Sequence, residues 1–160
     1  MMDQQSPAMT QQKRIILIIA LALTGGVVFA TGIFFVLGNL NNPQSDSVMT
    51  AIFLGITAVM VLTSFVVPPI IVKTKESEAK AKQQKLSEQE YLQIFQIKTI
   101  IAYALMEGPA FMNLAVAHQY SLPILGGLFL LMIARLPWSG RIDSWIRDRM
   151  EMQEFENFQA

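Results

Sequence analysis

Two uncharged runs constrain this chain more than any other feature. Neither Ile15 to Leu37 nor Val48 to Val72 contains an Asp, Glu, Lys or Arg. A helix crosses hydrocarbon with about 20 predominantly apolar residues, and at 1.5 Å rise per residue each run reaches roughly 35 Å. A third run, Ile94 to Ala117, carries two charges, Lys98 and Glu107. A fourth, Leu122 to Leu136, is shorter and holds Arg135 near its end. Composition agrees. Charged residues make up 15% of the chain and mean hydropathy is +0.41, against about 25% charged in an average soluble domain. The expected fold class is therefore all-α, a four-helix transmembrane bundle with antiparallel neighbours. Its spans are about 15–37, 48–72, 94–117 and 122–136, within a transmembrane domain over 13–137.

The basic residues orient it. Lys13 and Arg14 precede the first run, five lysines lie between the second and third, and Arg141, Arg147 and Arg149 follow the fourth. The stretches 38–47 and 118–121 have none. Lysine and arginine mark the cytoplasmic side, so both termini and the middle loop are placed there. The first run is read as a retained span. It is longer than the 7–15 residues of a signal core, and no small-x-small site follows it. The expected location is a bacterial inner (cell) membrane, with the lipid bilayer as partner and a homo-oligomer or larger membrane complex as the candidate assembly.

Residues 1–12 are polar and unpatterned and are expected to be disordered. The middle segment, 73–90, reads as a cytoplasmic helical loop. Glu76–Lys80 and Glu78–Lys82 are i,i+4 pairs, and Ser87 with Glu90 forms a capping box that starts the third helix. Pro68-Pro69 is expected to bend or finish the second helix. The tail, 138–160, spaces Trp138, Ile142, Trp145, Ile146 and Met150 by three and four residues. This suits an amphipathic helix on the inner leaflet or docked on the middle loop. Trp138 and Trp145 would sit at the membrane interface, where Lys98 and Arg135 snorkel. Close helix approach in lipid favours small residues, so Ala22, Gly26, Ala30, Gly55, Gly126 and Gly127 are expected at packing seams.

Much chemistry is excluded. There are no cysteines and only one histidine, His118, so no thiolate or multi-histidine metal site exists. Zero net charge argues against a nucleic-acid binder. No nucleophile–base–acid set or phosphate loop is visible, so neither an enzyme nor a cofactor is expected. One residue stands out, Glu107, near the middle of the third run. Inserting a charge there costs roughly 2.5–3.5 kcal/mol on translocon scales. Neutralising the acid at pH 7 costs about 3.7 kcal/mol from its reference value. The two costs are comparable. Tyr103, one turn earlier, could hydrogen-bond it. Gly108-Pro109 is expected to kink the helix and free the carbonyl of Leu105. Asn113 is a further buried polar group, expected to bond across helices. Glu107, Tyr103 and Asn113 are thus the candidate proton- or ion-binding set, and Glu107 is otherwise read as hydrogen-bonding helix glue.

The stretch IIAYALMEGPAFMNLAVA, at 100–117, resembles the carboxylate helix of the ATP synthase c subunit. The match falls on Ala104, Leu105, Glu107, Ala110, Leu114, Val116 and Ala117. The resemblance implies a proton-binding role for Glu107, within a hairpin of spans two and three whose loop is cytoplasmic. It stops at these residues. Span two lacks the family's glycine ladder, the middle loop is long and charged, and the termini lie on the opposite side from those of a doubled proteolipid.

Two functions follow as expectations. The first is a structural or interaction component of the membrane, and the second a proton- or cation-linked membrane protein. The topology is testable on this cysteine-free background. Ser45→Cys should react with a membrane-impermeant maleimide from outside intact cells, and labelling only after the cytoplasm is opened would overturn the orientation.

Overall fold

Among the described residues five helices follow one another: α1 (Pro7–Val36), α2 (Ser47–Ala81), α3 (Glu88–Val116), α4 (Ser121–Ala134) and α5 (Ser139–Phe158). The computed structural model describes residues 7–37, 47–116 and 120–158. The loop around Ser45, the histidine at 118 and residues 1–6 of the expected disordered segment lie outside these. α1, α2 and α3 are each long and apolar enough to cross a membrane. α4 has only 14 residues, about 21 Å of helix. It is bent by 63° from α5, and the two together make a fourth candidate span.

One local expectation is corrected and two are narrowed. α1 begins at Pro7, so residues 7–12 are helical. Proline suits a first helical position, because its missing N–H would have had no partner there. Second, the lysine-rich stretch after Val72 is helical up to residue 81, and it belongs to α2. α2 runs through it as one helix of 35 residues. Its Ala, Glu and Lys content is strongly helix-forming, so nothing stops propagation at the end of the apolar run. Third, Pro68-Pro69 does not end α2. The carbonyl that Pro68 leaves free finds another donor, described below.

The turn between α2 and α3 is built from backbone geometry and two caps. Gln84 N–H donates to the Ala79 carbonyl at 3.0 Å and Gln83 N–H to the Lys80 carbonyl at 2.9 Å. This is a Schellman ending with Gln83 in the left-handed region at φ 53°. Four residues on, Ser87 N–H donates to the Glu90 carboxylate at 2.7 Å, and Glu90 N–H donates to Ser87 Oγ at 3.3 Å. That reciprocal pair is the capping box, and it starts α3 at Glu88.

α3 is the hub. α1, α2, α4 and α5 all pack on it, whereas α1 and α2 do not approach each other at the backbone although they are consecutive. α2 lies antiparallel to α3, with Thr57 meeting Asn113 and Met60 meeting Gly108. α1 runs parallel to it, with Gln12 meeting Gln96 and Gly26 meeting Glu107. α4 is antiparallel again, with Ser121 meeting Asn113 and Met132 meeting Tyr103. One core joins Ala20, Val27, Tyr103, Met106, Ala110, Leu125, Leu128 and Met132 across α1, α3 and α4. A second joins Ile16, Val72, Tyr91, Leu92, Phe95, Ile142 and Ile146, and so seats α5 against α1, α2 and α3.

The small-residue seams are only partly used. Ala30 packs against the first core, but Gly55, Gly126 and Gly127 have open space where a Cβ would stand, and Ala22 is exposed. The face of α1 turned inward is Ile16–Ala20–Thr24–Val27. Spacing alone gives several equivalent small-residue stripes, and the partner surface on α3 selects among them.

Two measurements check the turn. Gln83→Gly removes the left-handed cost of a residue with a Cβ and should stabilise the fold by up to about 1 kcal/mol. A lower midpoint in thermal or denaturant melts would contradict this. The hydrogen bonds from Ser87 hold the Glu90 carboxyl below its ordinary range. A carboxyl with a depressed folded-state pKa stabilises above its unfolded value, and that contribution is lost as pH falls through the folded one. Amide exchange at Ser87 to Tyr91 should therefore accelerate on acidification, relative to the middle of α3, and Glu90→Gln should flatten the change.

Candidate functional site

Polar groups on the inner faces of these helices are few, and almost all have partners. Thr24, Thr31 and Thr63 return their hydroxyls to carbonyls one turn back, at 2.7–2.8 Å. In an apolar surrounding this is how a helical hydroxyl is satisfied without another helix. Asn113 is fully buried and reaches across helices. Its Nδ2 donates to Thr57 Oγ1 on α2 at 2.8 Å and to the Pro109 carbonyl at 2.7 Å, while its own carbonyl accepts from Ser121 Oγ on α4 at 3.0 Å.

Tyr103 is buried, but its hydroxyl donates to the Met132 carbonyl on α4 at 2.7 Å rather than to Glu107. The Glu107 side chain is half-buried and points at α1, with Oε1 3.7 Å from where a Cβ on Gly26 would lie. Its carboxyl makes no hydrogen bond or ion pair with any described residue. The candidate set is therefore not one constellation. Asn113 belongs to an α2–α3–α4 junction, Tyr103 to the α3–α4 seam, and Glu107 faces α1. The helix glue expected of Glu107 is made instead by Asn113 and Tyr103. α3 runs uninterrupted through Gly108-Pro109. There Gly108 allows close approach to Met60 of α2, whose Cε would lie 3.0 Å from an added Cβ.

A second polar cluster was not legible in the sequence. Pro68 has no N–H to give the carbonyl of Ser64, four residues earlier. Arg135, just past the end of α4, supplies the donor, with Nη1 3.2 Å from that carbonyl and 3.2 Å from Ser64 Oγ. Its guanidinium also stacks 3.7 Å from the centroid of Phe65. The Arg135 side chain therefore reaches across to α2. The freed carbonyl follows from counting back from the proline. The donor lies 71 positions away, and no sequence rule points to it.

Lys98 and Trp145 meet each other over the α3–α5 contact. Lys98 Nζ sits 3.5 Å from the centroid of Trp145 and 4.3 Å from that of Phe95. Trp145 meets Tyr91 and Phe95 edge-on, at 6.1 and 5.3 Å between centroids. Trp138, in contrast, is exposed. α5 is further tied down by an ion pair between buried Lys13 of α1 and Asp143. Arg149 lies 3.5 Å from Glu76 on the extension of α2.

Among the described residues no three acidic or histidine side chains converge as metal ligands. Compared with known proteins, the chain matches no family model, no characterised protein and no solved structure.

The proline–arginine pairing gives a double-mutant test. Arg135→Leu should cost about 1–3 kcal/mol by stranding the Ser64 carbonyl. Pro68→Ala restores that carbonyl's own N–H donor, so the cost of Arg135→Leu should fall by about 1 kcal/mol in the Pro68→Ala background. Strict additivity would show that the hydrogen bond contributes nothing.

Proposed function

We propose that this chain is an integral membrane protein that crosses the bilayer four times with both termini in the cytoplasm. It acts as a structural or interaction component and carries no catalysis of its own. The observation that carries this reading is the polarity of the assembly. Thr24, Thr57, Ser64, Asn113 and Ser121 are buried, while Ile18, Phe29, Val59, Leu62 and Leu130 face outward with more than half of their surface exposed. In water that distribution is unfavourable, because apolar area left exposed forfeits about 25 cal/mol per Å². In lipid it is favourable, because lipid solvates the outer face and polar groups need internal partners. The alternation of helix direction around α3 and the confinement of the basic segments to one side support the topology. α4 with its short reach makes the fourth crossing, ending where Arg135 turns in and Trp138 emerges.

A second reading is favoured by one observation, the missing polar partner of Glu107. An acid in the apolar layer whose carboxyl serves no described hydrogen bond is available to take up and release a proton. A metal cation would need several oxygen ligands, and one carboxyl does not supply them. This is the role that the c-subunit-like stretch implies. On this reading the protein is a proton-linked component, and α1 at Gly26 forms one wall of the carboxyl's surroundings.

The membrane reading predicts that the protein stays in the pellet after alkaline carbonate extraction. Release into the supernatant would refute it. For Glu107, carbodiimide applied to native membranes near neutral pH should modify this residue selectively, with Glu151 and Glu154 as exposed controls. Glu107→Gln should abolish the adduct and leave the melting midpoint within about 1 kcal/mol of wild type, since no hydrogen bond is lost. Absence of any adduct across pH 5–9 would remove the proton-linked reading and leave the structural one.

A further inference from the structure

α2 approaches neither α4 nor α5 at the backbone. Between them, over α3 as a floor, lies a cleft of about 290 Å³. Three cations line it, Lys98 from α3, Arg135 from the end of α4 and Arg149 from α5, and no acidic residue does. Neither Lys98 nor Arg135 has a carboxylate partner among the described residues. Lys98 rests on the faces of Trp145 and Phe95, and Arg135 on Phe65 and the Ser64 carbonyl. Only Arg149 has one, Glu76 at 3.5 Å. Three partly desolvated cations in one recess, with a single acid beside them, call for a counter-anion.

The walls say what kind of anion. Ser64, Thr99 and Tyr103 also line the cleft, although the Tyr103 and Ser64 hydroxyls are already donated to the Met132 and Val61 carbonyls. Phe65, Pro69 and Val72 make the α2 wall apolar. Along α2 toward the middle of the apolar layer, Ala58 and Leu62 continue the Phe65 face and are exposed. The recess is therefore cationic at the end where the basic segments lie and opens onto a greasy ridge. A free inorganic anion would use only the first half of it. We propose that this cleft holds the headgroup phosphate of an anionic phospholipid of the cytoplasmic leaflet, with the acyl chains lying along α2 past Phe65 and Leu62. Lys98 and Arg149 contact the phosphate from the α3 and α5 sides. Arg135 stays bound to Ser64 and contributes its charge from the inner end. The bound lipid fills the gap that the helices leave between α2 and α4–α5. Basic pockets between membrane helices on the cytoplasmic side take lipid headgroups in this way.

This inference rests on the membrane reading above, and the experiment separates the two. The full-length protein is placed in nanodiscs of phosphatidylcholine with an equal share of phosphatidylglycerol, released into detergent, and its retained lipids are identified by native mass spectrometry. Wild type should retain phosphatidylglycerol in preference to phosphatidylcholine. Lys98→Gln/Arg149→Gln should weaken retention roughly thirtyfold, about a factor of five per cation removed. The charge-matched control Lys73→Gln/Lys85→Gln, outside the cleft, should retain it as wild type does. Equal retention of the two lipids by wild type overturns the proposal without reference to any variant. So does loss of the preference in the control, or full displacement of the lipid by millimolar inorganic phosphate, which would mark a free-anion site. Failure of the protein to enter nanodiscs at all would refute the membrane reading itself.

Discussion

A carbonyl buried away from water needs a donor when its own helix supplies none, and Pro68 leaves one such carbonyl at Ser64. Much of the arrangement follows from meeting that need. The donor comes from Arg135, one residue past α4, so the end of α4 is drawn toward α2 across a gap that the two backbones do not close. The same end of α4 is held from the other side, where Tyr103 donates to the Met132 carbonyl. The Met132 carbonyl also accepts the Arg135 N–H at 3.2 Å, so it takes two donors, and the second seats a short helix against α3. Proline in α2, tyrosine in α3 and arginine after α4 thus form one set of polar anchors, and the cationic cleft is what remains of the gap they bridge.

The hub position of α3 has a related cause. It carries the side chains that need partners on other helices, Tyr103 and Asn113, and the glycine at 108 that lets α2 come close. Within their apolar runs α1 and α2 are uncharged, and Thr24, Thr31 and Thr63 return their hydroxyls to their own backbones. They have little to exchange with each other and do not meet. Where apolar surface is solvated by apolar surroundings, directional polar contacts and close packing decide which helices associate. Glu107 is the exception on α3, a polar side chain that the packing does not consume.

At the other end of the molecule the ties are of a different kind. α5 folds back so that Ile142 and Ile146 are covered, Trp145 joins Tyr91 and Phe95, and Asp143 pairs with Lys13. These contacts gather the start of α1, the extension of α2, the start of α3 and the tail into one cluster. Aromatic burial is effective there, because water is the alternative. The polarity logic changes along a single helix. α3 is organised by aromatic packing near Phe95 and by hydrogen bonds near Asn113.

Several elements were readable from the chain because their causes are local. The apolar runs of α1, α2 and α3, the capping box at Ser87 and Glu90, and the charge of each connecting segment depend on residues within a few turns of one another. The reach of α2 past Val72 was equally local, since the Ala, Glu and Lys content of that stretch is helix-forming. What the tertiary structure alone decided is which groups meet. Arg135 turns inward because a proline in another helix frees a carbonyl at its height. Tyr103 bonds Met132 and not Glu107 because α4 brings that carbonyl nearer. Gly55, Gly126 and Gly127 face outward because α3 offers its partner surface elsewhere. A periodic apolar sequence specifies that a helix forms and that one of its faces is covered. It does not specify which face, because several stripes are equivalent until a neighbour with its own unpaired groups selects one.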